Sequence, residues 1–157
     1  MKVVANSTPL IELSKIRRLT LLHDVYGKIV IPKEVEKEVV IDGAGQPGAA
    51  EVRAATWIEV RAVTDKARVI SLHENIPLGL GECDVIILAE EIGAQRVIID
   101  DGAARKVARA CNLPLIGTGW KARGILPTVR DVLDDLRAHG MYISTLLYQQ
   151  ILNVAGE

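Results

Sequence analysis

The stretch Leu78–Ala108, LGLGECDVIILAEEIGAQRVIIDDGAARKVA, decides the fold. Val85, Ile86, Ala89 and Gly93 follow Glu82 at three, four, seven and eleven residues, which is one face of a helix running to Ile92. Arg96–Ile99 is a short run with β-branched residues, suited to a buried strand. Asp100-Asp101-Gly102 closes that strand, and Ala103–Cys111 reads as helix again. Helix, strand and helix in direct succession form the repeating unit of a parallel sheet covered by helices.

The same alternation extends outward. On the N-terminal side, Val3–Ala5 reads as a strand that breaks at Asn6-Ser7-Thr8-Pro9. Ser7 or Thr8 is suited to cap a helix with Pro9 at its first position. The apolar helical pattern then continues through Leu10, Leu13, Ile16 and Leu19–Leu22. Lys28–Ile31 is a second strand, ended by Pro32, which opens a helix over Lys33–Ile41. The Gly-rich run 42–48 is a loop, Ala49–Ala55 a short helix, and Trp57–Val63 a strand with Ile58 and Val60 on one face. Thr64-Asp65 caps a further short helix, and Pro77–Gly81 is a turn. Downstream, Leu113–Ile116 is a strand and Gly117-Thr118-Gly119 a turn. Thr128 and Asp131 form a capping box for a helix to Ala138, and Ser144 caps a last helix through Val154. The expectation is one domain over 1–157, with 127–157 as its helical C-terminal extension.

Composition narrows the classes. A chain of 157 residues is long enough for a real core, and with no phenylalanine that core must be built from Leu, Ile, Val and Ala. A net charge of −1 argues against a protein that holds nucleic acid by overall charge, so any such role needs a local basic patch, a metal or a partner. Cys83 and Cys111 lack metal-ligand spacing and read as free thiols. The N-terminal apolar run is too short for a signal peptide, and none is long enough to span a bilayer, which points to a cytoplasmic protein without membrane contact.

In open α/β sheets the working crevice lies beyond the carboxyl ends of the strands. Asn6 follows the first strand there, Asp100 and Asp101 follow the fourth, and Glu82 opens the helix leading into it. Each has a structural role to weigh: an acid in a first turn answers the helix dipole, and an Asp at a strand end caps the next helix. One aspartate of the pair can cap while the other faces the crevice. Among Glu34, Glu36 and Glu38, Glu38 flanks the buried side through its spacing from Val35. Gathered carboxylates raise each other's pKa, and a hard cation such as Mg²⁺ or Mn²⁺ resolves the conflict. Such an ion orients water in phosphodiester hydrolysis without a protein nucleophile. That suits a chain whose His23, His73 and His139 are scattered over helical stretches. Arg105 and Lys106, one turn past the aspartates, are placed to touch a phosphate, and Lys15 is a weaker candidate. There is no Walker motif and no dinucleotide-binding GxGxxG.

The segments VVANSTPLIELSKI, IVIPKEVEKEV, LGLGECDVIILAEEIGAQRVIIDDGAARKVA and LPLIGT together resemble the PIN-domain family. The nearest branch is a prokaryotic PIN-like group of unknown function, related to the toxin ribonucleases of toxin–antitoxin pairs. The resemblance implies a three-layer α/β/α sandwich with a central parallel sheet, plus C-terminal helices. It implies Mg²⁺- or Mn²⁺-dependent cleavage of RNA, an antitoxin protein as partner, and a homodimer. Carried onto this sequence, the metal ligands fall on Asn6, Glu82, Asp100 and Asp101. The catalytic acids fall on Glu38, Glu82, Asp100 and Asp101, and the small hydroxyl on Thr8. Asn6 departs from the pattern, which has aspartate there, so one negative charge is missing. Two other readings follow: a catalytically weak or inactive PIN-fold nucleic-acid-binding module, and an unrelated phosphatase or receiver-like domain. The last expects an aspartate after the first strand, where this chain has Asn6.

Overall fold

The computed structural model describes residues 1–116 and 129–155. It is a three-layer α/β/α sandwich around an all-parallel five-stranded sheet. The strands are β1 (Val3–Ala5), β2 (Ile29–Pro32), β3 (Ile58–Arg61), β4 (Arg96–Ile98) and β5 (Leu115–Ile116), in the order β3-β2-β1-β4-β5. β1 pairs with β2 at Val4↔Val30 and with β4 at Val3↔Arg96, Val4↔Val97 and Ala5↔Ile98. Val3, Val4 and Ala5 are fully buried, as expected of a parallel strand covered on both faces. The chain winds one way from β1 through β3, then crosses back to lay β4 on the other side of β1. The carboxyl ends of β1 and β4 therefore flank the point where strand order reverses, the usual place for a crevice.

The helices are α1 (Ser7–Lys15), α2 (Thr20–Tyr26), α3 (Lys33–Glu36), α4 (Ala49–Ala54), α5 (Lys66–Asn75), α6 (Leu80–Ile92), α7 (Gly102–Ala110), α8 (Val129–Ala138) and α9 (Thr145–Ala155). α6 is the central one. Cys83 through Ala89 are all buried, so this helix is wrapped on every side and contacts β1, β2, α3, α5 and α7. Truncating Ile86 in such a setting costs about 2–5 kcal/mol. A smaller apolar cluster of Leu133, Ile143, Tyr148 and Leu152 joins α8 to α9, and Leu136 touches both it and the main core. There the Tyr148 hydroxyl donates to Asp134 (2.7 Å).

Three local expectations are corrected. α1 begins at Ser7, not at Pro9, and its N-cap is Asn6 rather than Ser7 or Thr8. Pro9 is thus the third helical residue, where its missing N–H still costs nothing because first-turn donors lack intrahelical partners. The apolar pattern beyond Ile16 belongs to a separate helix, because Arg17 takes a left-handed conformation (φ 57°) between α1 and α2. The helix from Lys33 to Ile41 is not uniform: after α3 the chain widens into a π-helical turn over Lys37–Asp42. Gly43 closes this turn by donating its N–H to the Glu38 carbonyl (3.0 Å). A Cβ there would lie 2.5 Å from the Val39 carbonyl oxygen, so the closure requires glycine. Elsewhere sequence and structure agree to within a residue or two: Asp65 caps α5 through the Arg68 N–H (3.1 Å), and Ser144 caps α9 through Leu147 (3.2 Å). The turn at 117–119 and the Thr128 half of the capping box lie outside the described residues. No helix among the described residues is long and apolar enough to cross a membrane.

Candidate functional site

Asn6 stands where β1 passes into α1, and its backbone N–H donates to the Ile98 carbonyl of β4 (3.0 Å). One residue thereby spans the two strands at the topological reversal. Its side chain is fully buried. The Nδ2 group donates to Glu82 Oε1 (3.3 Å), while Oδ1 is buried and accepts no hydrogen bond from the described residues. An unsatisfied buried acceptor costs about 1–3 kcal/mol, so its persistence calls for a function or an additional partner.

Two carboxylates converge on that amide. Glu82 is the third residue of α6, where the N-terminal dipole favours it, and its Oε2 lies against Gly79, where a Cβ would force the carboxylate to shift. Glu38 comes from the π-helical turn. Its Oε1 accepts from the Ser7 hydroxyl (3.0 Å), and its Oε2 lies 3.2 Å from the position a Cβ would take on Gly81. Asn6 Oδ1 is 3.8 Å from that same position. The first turns of α1 and α6 and the widened turn after α3 thus bring Asn6, Ser7, Glu38 and Glu82 together.

Asp100 and Asp101 have separate surroundings. Asp101 is the N-cap of α7 and accepts from the Ala104 N–H (2.8 Å). Asp100 is half-buried. Burial holds its carboxyl above the ordinary range; nearby Glu12 pushes the same way, and Arg105 opposes both. Arg105 is fixed by donating Nη1 to the Ile99 carbonyl (2.9 Å). Asp100 lines a largely apolar cavity of about 270 Å³ with Pro9, Glu12 and Leu13 of α1 and Leu133 and Leu147 of α8 and α9. Thr8 is partly buried and makes no side-chain hydrogen bond among the described residues. Lys106 is exposed on α7, and Lys15 is paired with Glu12 (2.8 Å). The three histidines are exposed. Both cysteines are free, and burial pushes the Cys83 thiol up to about 11, with Glu82 and Asp84 adding to the shift.

The donor set bears on a divalent cation in two ways. No group of three or more His, Cys, Asp or Glu side chains among the described residues is disposed to hold a metal. Asn6 adds an amide oxygen to the two carboxylates. One or two carboxylates, completed by water and substrate phosphate, are what Mg²⁺ ordinarily takes from a protein, so the Asn6–Glu38–Glu82 group fits a hard cation. Asp100 reaches the same sheet edge from the end of β4, where its charged neighbours are Arg105 and Glu12.

Sequence reasoning did not single out Ser7, Gly81 or Glu12. Ser7 had a signal, a hydroxyl next to Asn6, but it was absorbed by a capping role that the structure does not give it. Glu12 follows Thr8 by one helical turn, so it shares a face with it. Nothing in the local pattern marks Gly81, whose importance is the space it leaves for residues distant in sequence.

The family model DUF3368, described as a PIN domain, matches residues 2–157 of the chain. No curated protein matches the chain significantly.

Proposed function

The chain belongs to the PIN-domain family, and on that premise we propose that it is a Mg²⁺- or Mn²⁺-dependent endoribonuclease. The observation that carries this reading is the buried, unpartnered amide oxygen of Asn6 beside Glu38 and Glu82, at the reversal point of the sheet. Asn6, Glu38 and Glu82 would hold the cation, with Asp100 and Asp101 at the neighbouring strand end. When bound, such an ion polarises the phosphoryl group and orients water.

The chain's own side chains supply the rest. Ser7 and Asn6 fix the two glutamates. Asp100, inclined by burial toward its neutral form, moves the proton: it takes one from the attacking water or returns one to the leaving oxygen as the P–O bond breaks. Arg105, anchored on the Ile99 carbonyl, holds positive charge beside Asp100. Lys106 and Thr8 are the remaining candidates for phosphate contact. With a net charge of −1, RNA would enter along this local edge rather than over a broad basic face.

The test is Mn²⁺-dependent cleavage of single-stranded RNA by the purified chain. Loss of cleavage in both Asp100→Asn and Glu82→Gln is expected; cleavage that persists in both removes the assigned site. A second reading, a catalytically silent nucleic-acid-binding module, is favoured by the Asn6–Glu82 hydrogen bond, which satisfies that carboxylate without a cation. RNA binding without cleavage, with cutting gained in Asn6→Asp, would select it. The toxin role, an antitoxin partner and a homodimer extend the proposal. Exposed Tyr142, Leu146 and Leu147 offer an apolar face for a partner chain.

A further inference from the structure

We infer that Ser7 is a positioning residue for Glu38, and that Gly81 keeps open the space in which the aimed carboxylate sits. This rests on the cation-binding reading above. The Glu38 side chain is exposed overall and springs from a widened turn, so its own element does little to fix its rotamer. Its one side-chain hydrogen bond among the described residues comes from Ser7 Oγ (3.0 Å). Ser7 is only 3% exposed, so its hydroxyl needs a protein partner, and it sits at the first position of α1, next to Asn6. The bond occupies Oε1 and turns Oε2 inward. There it and the orphaned Asn6 Oδ1 both lie within 4 Å of one point, the place a Cβ would take on Gly81. Gly81 is an ordinary helical residue with no positive φ, so its backbone does not demand glycine. A Cβ there would meet the Glu38 carboxylate at 3.2 Å, close enough that the carboxylate must give by a few tenths of an ångström.

Partners that orient a metal ligand typically change metal affinity about 10–100-fold when removed. Mn²⁺ affinity is measured on the full chain by the electron paramagnetic resonance signal of free Mn²⁺, alongside thermal unfolding under chelation. Ser7→Ala is expected to weaken Mn²⁺ binding by about tenfold or more, and Ser7→Thr, which keeps the hydroxyl, to restore it. Gly81→Ala should weaken Mn²⁺ binding while leaving the unfolding temperature unchanged or raised, because alanine favours the helix. That split is one a merely structural glycine would not give. Glu38→Gln serves as the reference. If it weakens Mn²⁺ binding while Ser7→Ala does not, or if Ser7→Thr fails to rescue, the assignment to Ser7 is overturned. If Glu38→Gln itself leaves Mn²⁺ binding unchanged, the cation reading at Glu38 falls, and this inference with it.

Discussion

Asn6→Asp is the most informative single change, because it replaces the Nδ2 donor with an oxygen facing Glu82 Oε1 at 3.3 Å. Two terms oppose the folded state without a cation. The lost hydrogen bond is long, so it contributes about 1.5 kcal/mol, the low end for a charged acceptor. Two unit charges at that separation repel by roughly 5 kcal/mol at an effective dielectric of about 20, and partial exposure of Glu82 reduces this by about half. Proton uptake sets a ceiling: neutralising one carboxyl near neutral pH, about three units above its ordinary pKa, costs ~4 kcal/mol. The expected loss is therefore ~3–4 kcal/mol near neutral pH, or about 10 °C in midpoint for a chain of this size. The sign follows from linkage. The introduced carboxyl has a folded pKa above its unfolded value, so the penalty is small in mild acid and grows as pH rises. Millimolar Mn²⁺ should recover much of the loss, since a ligand that binds only the folded state stabilises it. The assay is thermal unfolding followed by circular dichroism, in mild acid and at neutral pH, with chelator or Mn²⁺. A variant as stable as the parent at neutral pH under chelation, and indifferent to Mn²⁺, would refute the placement of Asn6 against Glu82.

Further outcomes follow from the neighbouring groups. Burial raises the Asp100 carboxyl, so ionising it destabilises the fold as pH rises through its folded pKa; Asp100→Asn should raise the neutral-pH midpoint and flatten its pH dependence while abolishing cleavage, and an unchanged pH profile would count against a half-buried carboxylate. Asp101→Ala should lose about 0.5–2 kcal/mol through the α7 cap, whereas Asp101→Asn keeps the cap and its stability. If Asp101→Asn nonetheless loses cleavage, Asp101 acts on the reaction and not only on the helix. With the Cys83 thiol pushed up to about 11, a thiol-specific reagent at mildly alkaline pH should spare it in the native protein and modify it on unfolding; native-state labelling of Cys83 would contradict its burial.

Much of this was legible in the residues. The spacing from Glu82 to Ala89, the β-branched run at Arg96–Ile99 and the Asp100-Asp101-Gly102 stop define a helix–strand–helix unit that needs no long-range information. That one aspartate of the pair caps the next helix followed from the same local logic, and the structure shows it to be Asp101. The π-helical turn at Lys37–Asp42 was hidden because one extra residue in a turn leaves the apolar spacing close to that of an ordinary helix, and the Gly43 closure is a backbone contact with no side-chain signature. The division of labour among Ser7, Thr8 and Asn6 was hidden too, since all three are competent caps and only the arrival of Glu38 and Glu82 separates them.

By itself, the sequence determined the order of strands and helices and which strand ends carry polar side chains, because hydrophobic period and capping chemistry act within a few residues. Only the tertiary structure decided which of those side chains meet. Crossing from β3 back to β4 on the far side of β1 sets the α6 first turn over Asn6, and packing of the π-helical turn carries Glu38 to Ser7. It also set Asp100 beside Glu12 and Arg105. Pairings between residues so far apart in the chain are fixed by sheet order and core packing, and no local pattern encodes them.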